Sequence, residues 1–283
     1  MFDRFFLNLL SKPGLSRTTA RFADTRWSGP VLRTFLRWYI RHYKVDMDEV
    51  AQELGDFETF NAFFTRELKT GTRPIDGTAR SLVSPSDGLV VAAETIGPDR
   101  HIGQIKGTTY SLDSLLNDES VAASYVGGSQ ITIYLSPRDY HRVHAPDEGR
   151  VVRLCHIAGQ CYPVNDWAAT HIENLYGLNE RVLVELETSE FGTLGIVMVG
   201  AANVARMSLA FHDLTSNNRT EGVDLPIDNV RLGRGEELGR FNLGSTVVLL
   251  LPPSTPLEFA CKTGDVVKMG QLLVSRSTAN AAS

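Results

Sequence analysis

Residues 181–200 read RVLVELETSEFGTLGIVMVG, and their patterning decides the fold class. In Arg181–Glu187, Val182, Val184 and Leu186 alternate with charged or exposed positions, the period-two pattern of a half-buried strand. Residues 194–200, LGIVMVG, are apolar without alternation and read as a strand buried on both faces. Similar short apolar runs recur on either side, at 88–93, 130–135, 149–154 and 245–251. They are separated by Gly, Pro, Asn and Asp turns, so the chain from about residue 80 onward reads as many β-strands.

The sequence before residue 80 has a different texture. Residues 1–10, MFDRFFLNLL, place Phe2, Phe5, Phe6 and Leu9 at helical spacing, and residues 31–44, VLRTFLRWYIRHYK, repeat the theme with Arg33, Arg37 and Arg41 every fourth position. Nine Lys or Arg face only Asp3 and Asp24 within residues 1–45, a net +7 that leaves −12 for the rest of a chain whose total is −5. A basic, aromatic, amphipathic helix can lie in a bilayer interface or pack on an acidic protein body, and the pattern alone admits both. Asp46 with Glu49 resembles a capping box opening a short helix that stops at Gly55. A further helix carries Phe60, Phe63, Phe64 and Leu68 on one face as a core stripe. The expected class is α+β: a helical, membrane-associating portion over residues 1–75, then a mostly β, sandwich- or barrel-like domain over 76–283.

Composition narrows the function classes. With 42% hydrophobic and 22% charged residues in 283, the chain can bury a sizeable core and is not a disordered sequence. No apolar run approaches the roughly 18 residues of a spanning helix. No small-residue cleavage site follows an apolar stretch, so a signal peptide is not expected. Cys155, Cys161 and Cys261 are an odd number without metal-ligand spacing and read as thiols of a reducing compartment. No metal site and no nucleic-acid partner are expected.

Three places carry candidate chemistry. Asp87 lies in Ser84-Pro-Ser-Asp-Gly88, which taken alone is a turn. Ser84–Val91 is echoed by Ala145–Val152 and by Thr263–Gly270, each with an acidic-Gly turn before valines. His141 and His144 stand three apart in Tyr134–Pro146, where a strand runs into a Pro-bounded loop. They could share a metal, divide proton-transfer work, or simply be surface histidines. Phe241–Leu251, FNLGSTVVLLL, contains a Gly-Ser step entering an apolar strand. Gly244 has no Cβ to hinder attack on its carbonyl, so a Ser245 hydroxyl could reach that carbonyl and shift the amide to an ester. Asp, His and Ser could also build a hydrolase triad, but Val247 stands where a nucleophile elbow needs its second Gly.

In these residues the chain resembles the phosphatidylserine decarboxylases. The resemblance rests on Leu243-Gly-Ser-Thr246, Phe60–Ile75, Ser84–Gly88, Gln104–Gly107, Tyr134–Pro146, Pro163–Asn165, Asn179–Arg181 and Gly235–Phe241, in order from about residue 55 to about 272. It implies that Asp87, His144 and Ser245 form a self-cleavage triad, in which Asp87 orients His144 and His144 is general base toward Ser245. Scission between Gly244 and Ser245 would give a large chain, 1–244, and a small chain, 245–283, held as a heterodimer. Ser245 would become a pyruvoyl cofactor that forms a Schiff base with phosphatidylserine, releasing carbon dioxide and giving phosphatidylethanolamine.

By the same resemblance His141 is the candidate acid that protonates the substrate carbon, and an anionic membrane surface is a partner. The location implied is peripheral, on the cytoplasmic face of the cell membrane, with any higher oligomer left open. Arg138, Arg142 and Lys106 are candidates for the substrate phosphate. The rival readings are an uncleaved Ser-His-Asp lipase or esterase, a non-enzymatic carrier module suggested by Thr263–Gly270, and a soluble pyruvoyl-dependent amino acid decarboxylase.

Overall fold

The computed structural model describes residues 21–103, 109–164, 171–201, 206–216, 221–242, 245–253 and 257–277. The helix expected at 1–10, Lys106, Asn165, Gly244 and the side chain of Ser245 lie outside the described residues. In chain order the elements are α1 (Gly29–Tyr43), α2 (Phe60–Phe64), β1 (Ser81–Val83), β2 (Gly88–Thr95), β3 (His101–Gly103), β4 (Thr109–Ser111), α3 (Leu112–Leu116), α4 (Glu119–Ser124), β5 (Ser129–Leu135), β6 (Arg142–His144) and β7 (Gly149–Ile157). There follow α5 (Leu175–Leu178), β8 (Arg181–Thr188), β9 (Gly192–Gly200), β10 (Met207–Leu209), β11 (Val223–Leu232), β12 (Glu237–Phe241), β13 (Ser245–Leu251), β14 (Leu257–Phe259), β15 (Val266–Val267) and β16 (Leu272–Arg276).

The backbone of the fold is an eight-stranded antiparallel sheet in the order β11-β7-β8-β9-β13-β5-β2-β15. Two three-stranded sheets, β1-β16-β14 and β10-β12-β6, share an apolar cluster with one of its faces, through Leu82, Leu273 and Val274 and through Val143, Leu238 and Phe241. The β3–β4 ribbon and the short helices α3, α4 and α5 cover the other face, with Ile102, Tyr110, Leu115, Ala122 and Tyr176 in a second cluster. A β-rich α+β architecture is what the sequence pattern implied.

This layering explains the two strands read first. In β9, Leu194, Ile196 and Met198 enter one cluster while Val197 and Val199 enter the other, so the unbroken apolar run is a strand covered on both faces. The half-buried reading of β8 needs correction. Leu183 and Arg181 are buried as well as Val182, Val184 and Leu186, and only Glu185 and Glu187 keep contact with solvent. Arg181 can be buried because its guanidinium donates to the carbonyls of Leu115, Asn179 and Ser114 at 2.6–2.8 Å, which satisfies it without a carboxylate.

The N-terminal region also departs from the pattern. No helix spans Asp46–Gly55. The Asp46 carboxylate accepts from Asp48 N in a local turn, and Glu49 turns to Arg73 and Lys268. Long-range ion pairing takes the carboxylate that a capping box would have used. α2 ends at Phe64, capped by Thr59, whose hydroxyl accepts from Ala62 N, and Leu68 lies beyond it in a bridge with Val50. Phe60, Phe63 and Phe64 form a third apolar cluster with Leu32, Leu36 and Tyr39 of α1. The apolar stripe of α1 is therefore packed on the protein. What faces outward is Val31, Trp38 and the three arginines Arg33, Arg37 and Arg41, with Phe22 exposed just upstream.

Candidate active site

The three echoing Asp/Glu-Gly segments meet in space. Ser84 exchanges backbone hydrogen bonds with Gln271 and Gly270, Val90 with Asp265 and Gly264, and His144 N donates to Pro85 O. Gly88 opens β2 at a position where a Cβ would lie 2.5 Å from the Tyr134 carbonyl, so only glycine admits this approach of β2 to β5. The junction brings Asp87 close to the loop that carries both histidines.

Asp87 is nearly fully buried, and both its oxygens are engaged. Arg73 donates to them in a fork, Nε to Oδ1 at 2.9 Å and Nη2 to Oδ2 at 2.6 Å, and Met269 N donates to Oδ1 at 2.8 Å. Arg73 also donates to Glu49 at 2.6 Å, and Lys268 reaches the other Glu49 oxygen. The Arg73 hydrogen bond, with help from Lys268, holds Glu49 down at about 2. This closed network lines a cleft of about 220 Å³ that also exposes Lys44, Arg138 and Tyr140.

Ser245 is the first residue of β13, in register with Leu135 of β5 and Gly200 of β9. Directly after Leu135 the chain folds into a tight turn, in which Ser136 donates through both N and Oγ to Asp139 Oδ2 at 2.7 Å. That turn delivers Tyr140, His141 and then β6. The register thus places the histidine loop one residue past the strand end that pairs with Ser245.

His144 is held at both ring nitrogens. Nδ1 lies 2.9 Å from the Gly235 carbonyl and must carry the proton there, which leaves Nε2 as an acceptor for the Tyr140 hydroxyl at 3.1 Å. Burial lowers its pKa, opposed by the Gly235 contact and by the carboxylates of Glu237 and Asp87. Asp87 therefore reaches His144 through its field and not through a hydrogen bond. The orienting contact expected from Asp87 comes from the Gly235 carbonyl.

His141 is fully buried against the Phe64 ring, with centroids 4.0 Å apart. Its Nδ1 donates to the Asp139 carbonyl at 2.8 Å, and its Nε2 has no partner among the described residues. Burial, then the charge of Arg66, push it down to about 3. Arg66 donates to the same Asp139 carbonyl at 3.0 Å and to Arg138 O at 2.7 Å. A neutral imidazole with an unused basic nitrogen is the result.

Tyr140, Arg66 and Arg73 are the site residues that the sequence did not single out. Tyr140 was visible only as a member of the Tyr134–Pro146 run. The two arginines sit in Phe60–Ile75, and nothing local couples them to the histidines. Of the phosphate candidates, Arg142 is consumed by the Thr65 carbonyl, Glu237 and Glu67, while Arg138 remains half exposed in the cleft. A larger cleft of about 670 Å³ lies elsewhere, around Arg153, Cys155 and His156, and contains none of these residues. Cys155, Cys161 and Cys261 are buried thiols.

A β-rich α+β chain with two buried histidines beside the strand that opens at a Gly-Ser step fits a self-processing enzyme better than a hydrolase with an elbow. The phosphatidylserine decarboxylase family profile matches residues 60–275. Over 97% of its length the chain is 41% identical to all of a protein of Chromobacterium violaceum named phosphatidylserine decarboxylase proenzyme. It is 38% identical to proteins of the same name from Idiomarina loihiensis, across 95% of this chain and 94% of that one, and from Actinobacillus pleuropneumoniae, across 92% and 90%. This chain belongs to the phosphatidylserine decarboxylase family. That membership overturns the lipase or esterase alternative.

Proposed function

We propose that the chain is a precursor that cuts itself between Gly244 and Ser245 and then decarboxylates phosphatidylserine to phosphatidylethanolamine. What supports this reading most is the family match over residues 60–275, joined to the place of Ser245 at the start of a central strand beside His141 and His144.

Scission needs a base for the Ser245 hydroxyl. His144 Nε2 is unprotonated and close to a hydroxyl of its own, so it can take that proton, with Tyr140 yielding its hydrogen bond. The Ser245 oxygen bonds to the Gly244 carbonyl carbon, the amide C–N bond breaks, and the nitrogen receives the proton. Loss of the Ser245 α-proton then breaks the Cβ–O bond and leaves Gly244 as a carboxylate. Water replaces the nitrogen, which departs as ammonia. The products are chains of 244 and 39 residues, the second beginning with a pyruvoyl group.

The surroundings fit such a group. His141 Nε2, in the stretch of chain that follows the strand end paired with Ser245, is a buried polar atom with no partner among the described residues, and a small carbonyl group would offer it one. The pyruvoyl carbonyl supplies an electrophile for the substrate amine and a sink for the electron pair left when carbon dioxide departs. His141 enters neutral, so it first accepts at Nε2 the proton that the substrate ammonium loses. It then returns that proton to the carbon that lost the carboxylate. The Asp139 carbonyl fixes which nitrogen is free, and Phe64 keeps water away from it.

The outward face of α1 suits a substrate that stays in a bilayer. Trp38, Val31 and Phe22 are more than half exposed, next to Arg33, Arg37 and Arg41. No helix among the described residues is long and apolar enough to cross a membrane. The proposed location is the cytoplasmic face of the cell membrane, held peripherally by residues 1–75, which also lend Phe64, Arg66 and Arg73 to the catalytic unit of 76–283.

The test is carbon dioxide release from vesicles containing phosphatidylserine. Equal amounts of phosphatidylethanolamine and carbon dioxide are expected, with inhibition by a carbonyl-trapping reagent. Release of fatty acid instead, by an uncut chain that a fluorophosphonate labels at Ser245, would sink the proposal.

A further inference from the structure

The N-terminal portion touches the rest of the chain at a telling place. Asn61, in α2, donates both hydrogens of Nδ2, one to Asp24 Oδ1 at 2.9 Å and one to Asn242 Oδ1 at 3.2 Å. Asn242 is nearly buried, and its side chain is otherwise spent on Ser208 Oγ at 3.1 Å and Arg206 O at 3.3 Å, while its backbone N donates to Arg206 O at 2.8 Å. Arg206 in turn grips the Asp24 carboxylate with both Nη atoms. Asp24 and Asn61 thus hold two segments more than 180 residues away.

One of those segments leads into the Gly244–Ser245 step, and the other follows β9, the strand that pairs with Ser245. Asn242 stands two residues ahead of Gly244 and continues the β12–β10 pairing in which Phe241 faces Met207. Arg206 lies six residues past Gly200, the β9 residue in register with Ser245. On the far side of the bond, the β13 ladder fixes Ser245 against Leu135 and Gly200. Between the two anchors the chain has three Cα–Cα steps, at most about 11 Å. Attack of a hydroxyl on its own preceding carbonyl demands an unusual backbone conformation at Gly244, and holding both flanks removes much of the freedom that would dilute it.

We infer that Asp24, Asn61, Arg206 and Asn242 form a clamp through which the N-terminal helical portion positions the Gly244–Ser245 bond for scission. The inference rests on the proposed cleavage site and adds a condition to it: the precursor matures only with its N-terminal portion docked. These are positioning residues. The Asp24–Arg206 pair is partly solvated, Asp24 by 38% and Arg206 by 24%, so it adds little to stability, and its removal should not unfold the protein.

The experiment follows conversion of freshly made full-length precursor into two chains on a denaturing gel, alongside the thermal midpoint of each variant. Asp24→Ala combined with Asn61→Ala is expected to slow conversion by roughly tenfold to a hundredfold, with the midpoint nearly unchanged. Asp24→Arg should slow it alone, and adding Arg206→Asp should restore most of the rate, which a merely structural role does not require. Conversion of the double variant at the parental rate overturns the clamp, as does a slowing that only follows a fallen midpoint. Ser245→Ala separates the two claims: scission persisting there defeats the cleavage site itself, whatever the clamp variants do.

Discussion

His141 and His144 are three residues apart in sequence and belong to different environments. His144 has both nitrogens occupied, by the Gly235 carbonyl and the Tyr140 hydroxyl, and lies beside the ionic network of Asp87, Arg73 and Glu49. His141 packs on Phe64, shares the Asp139 carbonyl with Arg66, and keeps one nitrogen unused. The division of labour proposed for the two histidines rests on this contrast. A histidine already hydrogen-bonded to a hydroxyl suits removal of a hydroxyl proton in a single event. A dry imidazole with a vacant lone pair suits repeated acceptance and return of a proton.

The comparison breaks most visibly at His144. His144→Ala is expected to leave the chain uncut, with scission at least about a thousandfold slower on a gel time course. His141→Ala should still be cut, but its decarboxylation rate should drop by about a hundredfold or more in a carbon dioxide release assay. Equal effects of both changes on scission would erase the distinction. Next in size is Arg73→Ala, which leaves the buried Asp87 carboxylate without its fork. A loss of about 3–5 kcal/mol is expected from the urea midpoint, because breaking one side of a buried pair strands the other charge.

Tyr140→Phe is the gentlest probe. It removes one hydrogen bond, worth about 1 kcal/mol. The Tyr140 hydroxyl donates to His144 Nε2 and so favours the neutral ring, which means its loss raises the His144 pKa. The base is active when neutral, so the acid limb of the scission rate should move to higher pH in the variant. A limb that stays in place would show that Tyr140 does not govern His144. The decarboxylation profile should be unmoved by this change, since Tyr140 makes no described contact with His141.

Much of this arrangement was legible in the sequence because its parts are contiguous. The histidine pair and the strand pattern of 194–200 are short-range signals, and the structure buries both histidines in the stretch after β5 and covers both faces of β9, while Gly244 lies outside the described residues. Asp87 could be placed in a turn, but its partner could not, since Arg73 meets it across a loop and Met269 N comes from the far end of the chain. The capping-box reading of Asp46 and Glu49 failed for the same reason: a carboxylate near two distant cations is better satisfied there than at a helix start. The outer face of β8 was misread because the helices that cover it are brought there by tertiary packing. Arg66 was invisible as a site residue, because it reaches His141 through a backbone carbonyl that any residue could supply.

The most direct test of the central claim is the intact mass of purified, active protein. Two chains are expected, matching residues 1–244 and 245–283, with the small chain lighter by one ammonia than a fragment that begins with serine. Fully active material consisting of one 283-residue chain, or a small chain that begins with unmodified Ser245, would contradict the account.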